Sequence, residues 1–278
     1  MMLIARGHHP RSIRSALALA VALATPLCAA VVGCYPAAAE ADSAPAAPLD
    51  VEIERYRSQL IEDIDRSVAS VQKLRASVDL ATAKQAWIEA RIGWERSEVF
   101  TSGFAPELDR DIDAWPAGAT GFHAIEAKLF GAGRTDVAGE VDALLHSLSD
   151  MAVTARNAKL TRQGLLDGLA RLAYEVGESK VSGGESRISG TSIDDMRNNV
   201  DGIELAYSTV FAEAIDGSDH NLHTAARRLI DELKSVLAER DLRQLEQERL
   251  RVLSEELVLT LQAAAPGLAL ARPTLELQ

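Results

Sequence analysis

Residues 51–74 read VEIERYRSQLIEDIDRSVASVQKL. Val51, Ile53, Tyr56, Leu60, Ile61, Ile64, Val68, Val71 and Leu74 recur at about the 3.6-residue spacing that lines up one face of an α-helix. The same reading extends along the chain. Asp79 can cap a second helix running to about Phe100. Residues 103–118 carry Pro106 and Pro116 and read as a loop. A short helix follows from Thr120 or Gly121 to Gly131, and further helices span about 135–160 and 161–181. Ser182-Gly183-Gly184 breaks the chain. Ser192 is expected to cap a helix to about Ile215, and Asp216-Gly217-Ser218-Asp219 turns it. Two last helices cover about 220–240 and 241–264, before Pro266-Gly267. No segment alternates as a strand. Long helices with short connections predict antiparallel packing in a four-helix bundle or a pair of them.

Composition excludes several function classes. The 278 residues carry a net charge of −12. Residues 1–33 hold Arg6, Arg11 and Arg14 and no acid, so the remainder has 26 bases against 41 acids, or −15. A nucleic-acid partner needs a basic surface, which this chain lacks. The acidic balance suits collecting cations and equally suits plain solubility. The two cysteines, Cys28 and Cys34, both precede the helical body. The body therefore has no disulfide, thiolate metal site or cysteine nucleophile. A metal there must be held by His and carboxylates, which suits iron, zinc, manganese or calcium better than copper(I).

The N-terminus reads as an export signal. Three arginines precede an apolar Ala/Leu/Val run over 15–32. The run ends Val31-Val32-Gly33-Cys34, similar to a bacterial lipobox, in which the Cys becomes the acylated N-terminus. This gives a signal over 1–33, lipidation at Cys34, an Ala/Pro-rich tether over 34–50 and a helical domain over 51–278. The expected location is the cell envelope or periplasm, anchored to the membrane by lipid. Cleavage after Ala39 and retention of the run as a membrane anchor are the other two readings.

Two elements carry candidate chemistry. His123 and Glu126 are three apart on the short helix, on one face and within reach of a single ion. They border the apolar face made by Phe122, Ile125 and Leu129, where a carboxylate wants a cation. The same spacing also arises from a surface ion-pairing Glu beside a core-edge His. There is no second His to make HExxH, and no free general base for hydrolysis. On the preceding helix Trp87, Arg91, Glu95 and Glu98 step by four, four and three and share one stripe. The acids can be metal ligands oriented by Arg91, or the stripe can be a ladder pairing Arg91 with Glu95 and Glu98. Asp109, Asp111 and Asp113 lie just before the HxxE helix, and Asp113 precedes the rigid Ala114-Trp115-Pro116.

The order of these elements resembles a known family. Trp87, Ala90-Arg91, Trp94-Glu95, Glu98 and Phe100 precede Ile112-Asp113-Ala114-Trp115-Pro116, and then Gly121-Phe122-His123-Ala124-Ile125-Glu126. Lys180-Val181-Ser182-Gly183-Gly184-Glu185, Ser192, Asp195 and Asn199-Val200-Asp201-Gly202 follow. This looks like the imelysin-like family, nearest the EfeO/EfeM iron-uptake lipoproteins, over roughly 52–265. The resemblance implies an all-α, bilobed domain of two four-helix bundles. It implies a metal site with His123 and Glu126 as ligands, and carries over Glu98, Asp113 and Glu95 by position. Iron is the implied ion, with zinc or another divalent cation as the other option. An iron permease and a haem-peroxidase-like component are the implied partners. The chain resembles the short form without a cupredoxin domain. Where the family usually reads Gly-Glu-Glu, this chain has Gly184-Glu185-Ser186. The leading reading is thus a lipid-anchored protein that captures iron for an uptake system and is not an enzyme. The alternatives are an imelysin-type metallopeptidase and a metal-bridged binding module for an acidic polymer.

Overall fold

A computed structural model describes residues 50–114 and 119–275. The export signal, Cys34 and nearly all of the tether lie outside the described residues. No described helix is long and apolar enough to cross a membrane.

Among the described residues the protein is all-α, with no strand. Helix α1 (Val51–Ala76) starts where the Asp50 carboxylate accepts the Ile53 amide at 3.4 Å. Helix α2 (Leu80–Phe104) starts where Asp79 accepts the Thr82 amide at 2.9 Å. Both caps satisfy amides that lack a partner in the first turn. The elements that follow are α3 (Pro106–Ile112), α4 (Gly121–Glu126), α5 (Ala138–Asn157), α6 (Arg162–Glu175) and α7 (Ser192–Ala206). The chain ends with α8 (Ala212–Ser218), α9 (His220–Val236) and α10 (Gln247–Ala264). Single π turns extend α4, α6 and α7, over Ala127–Gly131, Val176–Lys180 and Tyr207–Phe211.

Helix α1 packs on α2 and on α5, with α3 and α4 against α5. Helices α9 and α10 pair, α10 lies on α6, and α7 touches α6 and α9. The all-α expectation holds, and the helices form one body in which α2 packs on α6 and α7 as well as on α1. One continuous apolar core results. Helix α2 is thus buried from several sides, and its Arg91, Glu95 and Glu98 are buried with it.

Glycines permit this close packing. A Cβ on Gly93 of α2 would lie 2.1 Å from the Asp63 carbonyl oxygen of α1. A Cβ on Gly202 of α7 would lie 2.4 Å from the Arg96 carbonyl oxygen of α2. Backbone cannot yield as a flexible side chain can, so Gly202→Ala is expected to force α7 off α2. Overpacking of this kind destabilises by about 1–3 kcal/mol. Urea denaturation followed by helical circular dichroism checks this, and an unchanged midpoint would contradict the packing described.

Four local expectations are corrected. The loop expected over 103–118 contains α3, because Pro106 occupies its first turn, where a missing N–H does no harm. The residue before α7 is Thr191, not Ser192. The Ser192 hydroxyl instead donates to the Glu185 carbonyl. The helix expected from residue 135 begins at Ala138. Helix α9 ends at Val236 and α10 begins only at Gln247. Between them the Asp241 carboxylate accepts the Arg243 amide at 3.0 Å, and this local bond holds a turn instead of a helix.

Candidate metal centre

The site is built on α2. The stripe inferred from spacing is real: Trp87, Arg91, Glu95 and Glu98 are all buried. Arg91 is 1% exposed and lies against the faces of Trp87 and Phe122, with ring centroids at 5.6 and 5.3 Å. Its guanidinium pairs with Glu95 and Asp113, and with Asp195 Oδ2 at 3.1 Å. The ladder expected on α2 is therefore half right. Arg91 takes Glu95, but Glu98 pairs instead with Lys180, whose Nζ lies 2.8 Å from Glu98 Oε2.

Asp113 follows directly after α3, and its amide donates to the Asp109 carbonyl at 2.9 Å. Its own carbonyl accepts the His123 amide at 3.3 Å, which fastens the start of α4 to the end of α3. Trp115 and Pro116, expected to aim this carboxylate, lie outside the described residues. The main chain also turns sharply here, with Ala114 at φ 57° and Gly121 at φ 76°. A Cβ on Gly121 would meet the Ile112 carbonyl oxygen at 2.7 Å.

His123 and Glu126 face the same cluster. His123 Nδ1 lies 2.8 Å from Glu126 Oε2. The other Glu126 oxygen accepts both the amide and the hydroxyl of Ser189, each at 2.7 Å. Both Glu126 oxygens are thus engaged, and the ring is held with Nε2 turned away. That Nε2 is buried and has no hydrogen bond. It lies 3.3 Å from Asp113 Oδ2.

Around Nε2 lie further carboxylates. Ligand atoms of Asp113, His123 and Glu185 come within 4.8 Å of one another, and so do those of Glu95, Glu98 and Asp113. Asp113 belongs to both groups. Asn199 of α7 donates to Glu95 Oε2 at 2.8 Å and Glu98 Oε2 at 2.6 Å. Glu95, Glu98, Asp113, Glu185 and Asp195 thus face two permanent cations, Arg91 and Lys180, while Glu126 pairs with His123.

The electrostatics follow from burial and crowding. Burial and the neighbouring Glu95 push the Glu98 carboxyl well above the usual range. Burial likewise raises Glu185, and lifts Asp195 to about 6 despite Arg91. Burial and the Asp113 charge lift Asp109 to about 7. Asp113 goes the other way: burial opposes its charge, but Arg91 and His123 hold it well below the usual range. Burial disfavours the His123 cation, yet Asp113 and Glu126 raise it to about 9. Such crowding of buried carboxyls is relieved either by protonation, which the raised carboxyls show, or by a cation.

Of the residues singled out from sequence, the structure gathers Arg91, Glu95, Glu98, Asp113, His123 and Glu126, while Asp111 is exposed. Spacing alone missed Lys180, Glu185, Asp195 and Asn199, which entered only through the family resemblance. A signal existed for two of them. Asp195, Asn199 and Gly202 step by four and three, as Arg91, Glu95 and Glu98 do, and mark a polar stripe on a buried helix face.

The family model for imelysin matches residues 52–119 and 117–266. The chain belongs to the imelysin family. Among its curated relatives, "Iron uptake system component EfeM" of Pseudomonas syringae pv. syringae is 31% identical over 170 residues, 56% of this chain and 60% of the relative. An "Efem/EfeO family lipoprotein" of Staphylococcus haemolyticus is 28% identical over 198 residues, 67% of this chain and 68% of the relative. The Bacillus subtilis EfeM is 30% identical over 158 residues, 52% of this chain and 39% of the relative. The chain thus spans less than two thirds of the length of both EfeM relatives. A solved structure from Parabacteroides distasonis, described as an iron-regulated protein A precursor, superposes with a TM-score of 0.60. At 16% identity, over 81% of this chain and 97% of the other, that likeness shows a shared imelysin fold.

Proposed function

We propose that this imelysin-family protein captures a metal ion, iron above all, for an uptake system of the cell envelope. The observation that carries the reading is His123 Nε2. It is buried, has the Asp113 carboxylate 3.3 Å away with no well-formed hydrogen bond to it, and is held in place by a Glu126–Ser189 chain. A ligating imidazole characteristically has its other nitrogen fixed by a carboxylate in this way. His123, Asp113 and Glu185 would bind the ion, with Glu95 and Glu98 completing an all N/O shell. Such a shell suits Fe(II), Fe(III) or Zn(II). Glu126 would position His123, and Arg91 would position Glu95 and Asp113.

The relatives' names support the iron-uptake setting. In that setting the protein is exported and held to the envelope through a lipid on Cys34. It hands its ion to a permease, beside a haem-peroxidase-like component. The family model's name includes a peptidase designation. A binding role fits this site better, because Glu126, the acid nearest His123, has both oxygens engaged and is not free to activate water.

Titration with Fe(II) under anaerobic conditions, or with Zn(II), tests the reading. One ion should bind per chain, and His123→Ala should remove that binding. Glu126→Gln should keep the fold but weaken affinity about 10–100-fold, the usual effect of losing a group that orients a ligand. Unchanged affinity in both variants would sink the proposal. Peptide cleavage that needs the metal and His123 would instead favour the peptidase.

A further inference from the structure

Lys180 stands where the captured ion is expected. Its Nζ donates to Glu98 Oε2 at 2.8 Å and Glu95 Oε2 at 3.1 Å, and lies 3.2 Å from Glu185 Oε2. An ammonium has three N–H donors, so these three carboxylates suffice for it. The same three acids contribute to the two groups of converging ligand atoms. A first-row divalent ion binds a carboxylate oxygen at about 2.0–2.2 Å. Bound to Glu98 Oε2, it would therefore lie no more than about 5 Å from Nζ in its present place. Two cations so close in a buried site repel strongly.

We propose that the Lys180 ammonium is a built-in stand-in for the metal, which capture displaces from the carboxylates. This rests on the metal-capture reading and goes beyond it, because it makes capture an exchange of one cation for another.

The surroundings support both positions of the side chain. Lys180 closes the π turn that extends α6, and its flexible four-carbon stem can swing. Asp109 and Glu175 line a cavity of about 140 Å³ together with Arg171. Both carboxyls feel the Lys180 charge in its present position, and both offer a displaced ammonium a counter-ion. The exchange also has a use. With no metal, Lys180 keeps Glu95, Glu98 and Glu185 from lying together uncompensated. With metal bound, its tendency to return weakens retention, which suits a carrier that must hand its ion on.

The test is Zn(II) titration of the full chain, of Lys180→Met and of His123→Ala. Metal-free Lys180→Met should melt at a lower temperature than the unaltered chain. It should bind Zn(II) about tenfold more tightly or better, because removing an occupant of the site removes the loss it imposes on apparent affinity. Equal or weaker binding by Lys180→Met, alongside binding by the unaltered chain that His123→Ala abolishes, overturns the Lys180 inference and leaves the capture reading standing. No binding by either the unaltered chain or Lys180→Met overturns both. If Lys180→Met does not fold, the unaltered chain decides through amine acetylation read by mass spectrometry. Lys180 should acetylate several-fold faster with Zn(II) than without, and an unchanged rate overturns the proposal.

Discussion

Arg91→Met is expected to destabilise the metal-free protein by about 3–5 kcal/mol, the usual range for breaking a buried ion pair from one side. The guanidinium lies between Glu95, Asp113 and Asp195, all buried, and no other described cation pairs with Asp113 or Asp195 beyond His123. Methionine fills much of the volume and preserves contact with Trp87 and Phe122, so the change isolates the charge. The three carboxylates can then stay ionised without a partner or take up protons, and either response opposes folding at neutral pH. A loss of this size is a large fraction of the stability of an ordinary domain. Arg91→Lys should recover only part of it, since one ammonium cannot reproduce the planar fork that reaches three acids. Zn(II) should restore some stability to Arg91→Met by supplying positive charge beside Asp113. Urea denaturation with and without Zn(II) measures both effects. A shift below about 1 kcal/mol, the scale of an exposed pair, would show that the cluster is solvated.

Asp113→Asn is expected to give the largest loss of metal binding among single conservative changes, more than about a hundredfold, beyond what an orienting group contributes. The reason is position. Asp113 is the one acid common to both groups of converging ligand atoms. It is also held well below the usual carboxyl range by Arg91 and His123, against burial, so it is ionised and ready when an ion arrives. Asparagine keeps the shape, and its amide oxygen can still accept from Arg91, so the fold should survive. Anaerobic Fe(II) or Zn(II) titration reads the affinity, and circular dichroism confirms the helices. If Asp113→Asn binds as the unaltered chain does while Glu98→Gln does not, the ion lies on the α2 side of the cluster, away from His123.

Much of the fold was legible because helices are local. The apolar spacing of α1 and the Asp50 and Asp79 caps each follow from residues a few positions apart, whereas of the turn expected over Asp216–Asp219 only Asp219 leaves the helix, α8 running through Ser218 and Asp219 capping α9. Failures came where a distant or subtle interaction decided. Helix α3 is hidden in the sequence because two prolines read as a loop, although Pro106 suits a first helical turn. The segment between Val236 and Gln247 reads as helix in the sequence because its turn rests on the Asp241 side chain, not on glycine or proline. In the site, the Arg91–Glu95 pair and the His123–Glu126 pair were visible as spacings of four and three. The division of labour within the second pair was not visible. Ser189 donates to one Glu126 oxygen from 63 residues away, and under the proposed function this leaves Glu126 to position His123.

The α-class, the thiol-free body, the acidic balance and the polar positions on α2 and α4 are all written in the chain locally. These depend on composition and on neighbours within a turn or two of helix, where geometry is set by the backbone. Only the tertiary structure decided that the stripes converge. Gly93 and Gly202 let α1 and α7 approach α2 closely enough to bury Arg91, Glu95 and Glu98 beside Asp195 and Asn199. The turn after α6 then delivers Lys180 and Glu185. Burial is what raises the stakes: exposed, these acids would be a solvated acidic surface, whereas buried together they are compensated by Arg91 and Lys180 or by protons.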